Sequence, residues 1–265
     1  MYWSQFTPEN EGKWGSVQNT AGGSFNWGAL DTEYQYCQSN NIIFKEHNFV
    51  WGAQQPSGNI GQTEVQNWMN AYCQRYPNVK LIDVVNEPLP NHNPAPYRNN
   101  IGGSGSSGWD WVVNALQWAR TACPNATLLV NDYNTIEYQG DHDSFVSMIN
   151  AVKGAGAPID AVGAQGHAAY NVSTSTVQNF IDDLAAKTGL PVYITEYDIN
   201  LADDNQQLTV MKDQFPMFWN DANVKGITLW GYIVGSTWEP NTGLITSTGT
   251  LRPAMSWLVN FLQTH

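Results

Sequence analysis

Seven short runs rich in β-branched, aromatic and other apolar residues recur along the chain, and their spacing limits the fold more than any other feature. They cover residues 2–7, 42–51, 79–87, 127–133, 161–167, 192–198 and 227–232, with starts 31 to 48 residues apart. Segments of helical periodicity lie between them, at 31–39, 63–75, 109–123, 144–153, 174–187 and 205–220, with a last one at 251–263. Strands alternating with helices at this interval build βαβ units. The runs are almost continuously apolar, as strands buried on both faces of a parallel sheet must be. Such units close into a barrel or lie open as a doubly wound sheet. Neither a GxGxxG turn nor a phosphate loop occurs, which weakens a nucleotide-binding open sheet.

The polar residues decide between the two. An open sheet gathers its chemistry at one switch point, whereas a barrel brings the C-terminal ends of all its strands to one face. Here nearly every run ends in polar or aromatic residues: Glu9 and Asn10, His47 and Trp51, Asn86 and Glu87, Tyr133 and Asn134, Gln165 and His167, Glu196 and Asp198, then Trp230. That pattern predicts a barrel. The Gly/Ser-rich stretch 101–108 leads straight into the amphipathic segment at Trp109, so it reads as a loop, and residues 1–265 form a single domain.

Acidic residues outnumber basic ones 23 to 11, a formal charge of −12. Nucleic acid and anionic lipid need a basic footprint, so neither is expected as a partner. No apolar stretch reaches the 18 residues of a membrane span. The composition suits a protein acting on a neutral polymer. Twelve Trp and twelve Tyr supply mostly core, with some left to stack on sugar rings. The three cysteines, Cys37, Cys73 and Cys123, each stand near the end of a helical segment. Parallel helices pack 8–10 Å apart and a disulfide needs Cα atoms within about 7 Å, so free thiols are expected rather than a bridge. His47 and His167 fall on different strands with no third ligand, so no metal and no other cofactor is expected. His92, His142 and His265 read as surface residues.

Two carboxylates stand out. Val84-Val85-Asn86-Glu87-Pro88 and Ile194-Thr195-Glu196-Tyr197-Asp198 each place a Glu where an apolar strand gives way to a turn. Two strand-end carboxylates across a barrel mouth are the minimum equipment for glycoside hydrolysis. One must hold a proton for the leaving oxygen, and the other must stay ionised. As ordinary strand-end ion pairs they would need cations, and the chain has 11 Lys and Arg in all.

At this point the chain resembles a known family. Thr7-Pro8-Glu9-Asn10-Glu11-Gly12-Lys13-Trp14, His47-Asn48-Phe49-Val50-Trp51 with Gln54, Asn86-Glu87-Pro88, Asn131-Asp132-Tyr133-Asn134, Gln165-Gly166-His167, Thr195-Glu196-Tyr197-Asp198, Trp230-Gly231 and Trp238 follow the order found in family 10 glycoside hydrolases, the endo-β-1,4-xylanases. The resemblance implies Glu87 as general acid/base and Glu196 as nucleophile of a retaining double displacement. It implies supporting roles for Asn86, on the sugar 2-hydroxyl, and for His167 and Asp198, which would hold the nucleophile. Glu9, Asn10, Lys13, His47, Trp51 and Gln54 would bind the glycone side, Trp230 and Trp238 would wall the sugar, and Tyr133, Asn134 and Gln165 would line the cleft. The implied partners are xylan and xylo-oligosaccharides, and the implied location is extracellular, although residues 1–5 have no signal-peptide character.

Two departures accompany the resemblance. Where the family often has a second His after Val50-Trp51, this chain has Gly52, and a sugar contact near the cleaved residue is expected to be either lost or replaced by Gln54 or Gln55. The chain also opens almost directly on the Thr-Pro-Glu-Asn segment. The expected fold is therefore a TIM-type (β/α)8 barrel of the family with its first βα unit absent and seven units visible, the gap partly covered by another chain or by rearranged termini. Alternatives are a xylan-binding barrel with little activity and an endo-β-1,4-glucanase on a related barrel. The second is disfavoured by Lys13 and the Thr-Pro-Glu-Asn segment.

Overall fold

A computed structural model describes residues 3–265. Seven strands and eight α-helices alternate: β1 (Gln5–Phe6), α1 (Trp14–Val17), α2 (Gly28–Asn40), β2 (Ile43–Val50), α3 (Gln62–Arg75), β3 (Leu81–Asn86), α4 (Asp110–Ala122), β4 (Thr127–Asp132), α5 (Gln139–Gly154), β5 (Ala161–Ala164), α6 (Thr174–Thr188), β6 (Val192–Tyr197), α7 (Asp204–Asn220), β7 (Val224–Leu229) and α8 (Pro253–Thr264). The strands follow one another in sequence order through a seven-stranded sheet, with β1 and β7 at its ends. By contacts the chain divides into two compact units.

The first unit comprises residues 3–132 and 143–163. Its strands pair in parallel, with Phe6 opposite Phe44, Glu46 opposite Ile82, and Asn86 opposite Asn131. Every residue of β3 is buried, as the apolar run predicts. The helices are delimited by local chemistry. Asn41 ends α2 in the left-handed conformation that a Gly or Asn adopts at little cost. The Glu64 side chain accepts from the Gly61 N–H at the start of α3. The packing beneath α3 answers the aromatic excess. Trp68 and Tyr72 are fully buried, and Trp68 stacks on Trp14 at 6.0 Å and on Trp27 at 5.7 Å between ring centres. Most of these rings are core.

The second unit comprises residues 133–142 and 164–265. Here β6 and β7 pair in parallel, Ile194 opposite Ile227. Ser173 caps α6 by accepting from the Thr176 N–H, and Asp203 caps α7 by accepting from Asn205 and Gln206. Pro253 begins α8, where its missing N–H costs nothing.

Several expectations need correction. The last strand lies three residues earlier than expected, at Val224–Leu229 rather than 227–232. Lys225 and Gly226 mask its start in the sequence, and Gly231 leaves the ladder at φ 79°. The fifth strand stops at Ala164 because Gly166 takes φ 82°, with Ile194 Cγ2 only 3.3 Å from where a Cβ would lie. Tyr2, at the start of the expected first strand, lies outside the described residues. Cys73 and Cys123 form a disulfide across 5.5 Å between Cα atoms, contrary to the expected free thiols. The 8–10 Å helix separation is measured between axes. Residues facing each other, with Cys123 just past the end of α4, come far closer. Cys37 remains a buried free thiol. Two histidines are not surface residues either. His142 is fully buried, with Nδ1 on Thr135 O at 2.8 Å and Nε2 on Asp183 Oδ2 at 2.7 Å. The side chain of His92 is 2% exposed and pairs with Asp132. His265 is exposed as expected.

Candidate active site

In the first unit, Glu87 is the focus. It follows directly on β3, at φ 53°, and its N–H donates to Asn131 O at 2.8 Å. This turn projects the carboxylate off the strand end. The Trp51 indole N–H donates to Glu87 Oε2 at 2.7 Å, and Asn86 Nδ2 approaches Oε1 at 3.2 Å. Asn86 is held in turn, its Oδ1 accepting from Asn131 Nδ2 at 2.8 Å. The Lys13 ammonium lies 5.1 Å from the centre of the Trp51 ring, a cation–π contact. Lys13 Nζ also donates to Asn10 Oδ1 at 3.1 Å, and Gln54 Nε2 reaches the same oxygen at 3.2 Å. Thus Asn10, Lys13, Trp51, Gln54, Asn86 and Glu87 form one connected set. Glu9 is half-buried on the loop after β1.

His47 is buried, and its Nδ1 lies 2.9 Å from Asp83 Oδ2, the oxygen that also takes the Lys45 ammonium at 2.7 Å. Lys45 was not singled out in the sequence, and Asp83 carried no assigned role there. A charged residue inside the run Leu81-Ile82-Asp83-Val84-Val85 was the available signal, since a buried charge must be paired. Gln54, one of the two residues considered for the missing His contact, donates to Asn10. Gly52 itself cannot carry a side chain. A Cβ there would lie 2.2 Å from Asn93 O and 2.8 Å from Pro94 O, both backbone atoms.

In the second unit, Glu196 and Asp198 flank Tyr197. The alternation of a strand sends Tyr197 to the opposite face, where its hydroxyl donates to Gln214 Oε1 at 2.9 Å. On the site face His167 bridges the two acids, with Nε2 3.2 Å from Glu196 Oε2 and Nδ1 3.1 Å from Asp198 Oδ2. Burial works against charge on this ring, but the hydrogen bonds to Asp198 and Glu196 outweigh it and raise its pKa to about 10. His167 is therefore an imidazolium at neutral pH, a cation held against Glu196. The Trp238 indole N–H fixes Asp198 Oδ2 at 2.6 Å, and the Trp238 ring lies 4.7 Å from that of His167. Trp238 is 51% exposed, as a stacking platform would be, whereas Trp230 is 8% exposed and meets His167 edge-on at 6.4 Å. Gln165 is buried, and its carbonyl accepts the Glu196 N–H at 2.9 Å.

Two further expected residues lie on the loop after β4. Asn134, at φ 62°, turns its amide to Asp141 Oδ2 at 3.2 Å. Tyr133 is half-buried on the same loop. Near them lies a group that no motif flagged, Glu137. Burial raises its pKa to about 7, against the Ile136 N–H and the charge of His167.

The sequence profile of glycosyl hydrolase family 10 matches residues 1–261. The chain is 45% identical over 265 residues to endo-1,4-beta-xylanase B of Cellvibrio japonicus, covering 98% of this chain and 42% of that protein. It is 30% identical over 254 residues to endo-1,4-beta-xylanase A of Phanerodontia chrysosporium, covering 90% of this chain and 61% of that one. The chain thus spans less than two thirds of the length of these curated relatives. Its structure is similar to that of xylanase 10B from Thermotoga maritima, with a TM-score of 0.85 at 23% identity over 97% of this chain and 86% of that chain. It is equally similar to xylanase 10B from Thermotoga petrophila in complex with xylobiose, with a TM-score of 0.86 at 23% identity over 98% and 86% of the two chains. The likeness establishes the fold as a TIM-type (β/α) barrel with seven parallel strands described here. With a profile match over nearly its whole length, the chain belongs to glycosyl hydrolase family 10.

Proposed function

We propose that the protein is a retaining endo-β-1,4-xylanase in which Glu87 and Glu196 act on one glycosidic bond. The observation that carries this reading is the difference between the surroundings of the two carboxylates. Glu196 is paired with an imidazolium, His167, which favours its ionised form. Glu87 receives N–H donors from the neutral side chains of Trp51 and Asn86, which orient it without supplying a positive charge. The first suits a nucleophile and the second a group that must both give and take a proton.

In the first step Glu196 Oε attacks the anomeric carbon while Glu87 delivers its proton to the glycosidic oxygen. The C–O bond breaks, the shortened chain leaves as an alcohol, and a glycosyl ester remains on Glu196. In the second step the Glu87 carboxylate takes a proton from water as the water oxygen attacks the same carbon. The ester bond breaks and Glu87 is protonated again. Asn86, anchored by Asn131, would hydrogen-bond the sugar 2-hydroxyl most strongly in the oxocarbenium-like transition state. Trp238 offers an exposed ring for a xylose face. Support for a xylose polymer comes from the relatives' names and from the xylobiose bound in the Thermotoga petrophila protein. The Cys73–Cys123 disulfide favours an oxidising compartment, so we place the protein outside the cell.

Reducing-sugar release from xylan and from carboxymethylcellulose tests the substrate, and proton NMR of the first product tests the stereochemistry. The reading expects cleavage of xylan with the β-anomer formed first. Preference for the cellulose derivative, α-anomer release, or binding without cleavage would each overturn it.

A further inference from the structure

The loop after β3 brings one more side chain to Glu87. Asn93 Nδ2 lies 2.6 Å from Glu87 Oε2, the same oxygen that accepts from Trp51 Nε1 at 2.7 Å. The loop is clamped on both sides of this contact. Upstream, the Leu89 N–H and the His92 ring engage the two oxygens of Asp132, which is fully buried. Alongside, the backbone carbonyls of Asn93 and Pro94 occupy the space that any side chain at Gly52 would need. Gly52 therefore does more than omit a side chain. Its bare Cα is what lets the loop approach closely enough to reach Glu87.

We propose that Asn93 is a positioning residue for the acid/base, holding Glu87 Oε2 as the non-reacting oxygen so that Oε1 carries the proton. An sp² oxygen has two lone pairs, and two N–H donors at 2.6 and 2.7 Å engage both. Asn86 donates to Oε1 at 3.2 Å, longer than either contact to Oε2, and the proton is assigned to Oε1. N–H donors to a carboxylate also favour its charged form. Asn93 thus assists the second step, in which Glu87 works as a base. The inference rests on the acid/base reading of Glu87.

The test compares pH profiles of kcat/KM for the wild type, Asn93→Ala, Asn93→Asp and Gly52→Ala, on a xylobioside with a poor alkyl leaving group and on its dinitrophenyl counterpart. Losing one donor to the buried Glu87 carboxylate should move the basic limb of Asn93→Ala up by about 0.5–1 pH unit. It should lower kcat/KM about tenfold on the alkyl glycoside and much less on the dinitrophenyl one, whose departure needs no proton. Asn93→Asp should move the limb further, because it adds a like charge. Gly52→Ala, by displacing the loop, should reproduce the Asn93→Ala profile. Glu87→Ala on the same two substrates tests the underlying reading, since an acid/base loses far more activity on the poor leaving group. If Glu87→Ala shows that difference while Asn93→Ala keeps its basic limb within 0.2 pH unit, the role of Asn93 is overturned alone. Equal loss on both substrates at all pH values would reduce Asn93 to a structural residue and overturn it as well.

Discussion

The Cys73–Cys123 bridge closes a loop of 50 residues that includes β3, Glu87 and the Asn93 loop. Its worth follows from the entropy it removes from the unfolded chain. For a loop of this length the chain-entropy relation gives about −14 cal/mol/K, or about 4 kcal/mol at 25 °C. A domain of this size shifts its midpoint by roughly 2–4 °C per kcal/mol. The Cys73→Ala/Cys123→Ala double variant should therefore melt about 8–16 °C below the wild type, and reduced wild type should melt with it. Calorimetry in the presence and absence of a phosphine reductant is the assay. Thiol titration in denaturant gives the covalent check, with one free thiol per unreduced chain. Cys37 does not confuse the result, because burial and the neighbouring Glu33 carboxylate raise its pKa to about 11, leaving it unreactive in the folded state. Three free thiols would remove the bridge. One free thiol with a double variant melting within 2 °C of the wild type would refute the entropic reasoning.

Glu87→Gln should lower turnover of xylan by about 10²–10⁴-fold while keeping the wild-type melting curve. Glu196→Gln should abolish the covalent adduct that a 2-fluoroxyloside leaves on the wild type, as read by mass spectrometry. Glu137 is an acid whose pKa is raised from 4.5 to about 7 by burial. Its contribution to stability is fully present below about pH 4.5 and is lost as pH rises through 7. Glu137→Gln should relieve up to about 3 kcal/mol of that loss, so its midpoint should gain on the wild type between pH 5 and pH 8. Asp83→Asn leaves the Lys45 ammonium buried without its counter-charge and should cost about 3–5 kcal/mol in urea unfolding.

The strand ends were legible because the chemistry interrupts a strong pattern. Asn86-Glu87-Pro88 breaks a run of buried apolar residues, and Glu196 and Asp198 sit two apart, so the alternation of a strand puts them on one face whatever its exact end. What escaped the sequence depends on contacts between distant segments. Asn93 lies in a Pro/Asn-rich loop with no periodicity, and its reach to Glu87 is set by a side chain that position 52 lacks. The pairing of Cys73 with Cys123 turned on which faces of two helices meet, while the sequence argument used only their axes. His142 looked like one more polar residue at the start of α5. Its burial follows from Thr135 and Asp183, 7 and 41 residues away. The end of β7 was misread because Trp230-Gly231-Tyr232 has the composition of a strand, whereas the φ of 79° at Gly231 is a property of the backbone alone.

The low charge content has a consequence for the chemistry as well as for the choice of partner. Charged residues make up 13% of the chain, and the acids outnumber the bases two to one. The site could not be organised by lysines and arginines around each carboxylate, and a close cation would serve Glu87 badly in the acid/base role proposed for it. An acid/base alternates between two protonation states in one turnover, and a fixed positive charge against it would stabilise the ionised state in both steps. Neutral N–H donors do less of this and still fix the carboxylate in space. Trp51, Asn86 and Asn93 do so at Glu87, and the Lys13 ammonium lies over the Trp51 ring. At Glu196, proposed to stay ionised as the nucleophile, the chain supplies a cation in His167 and keeps it protonated with Asp198, which Trp238 steadies in turn. The two sets of neighbours thus differ in the property that the proposed roles of proton carrier and nucleophile require.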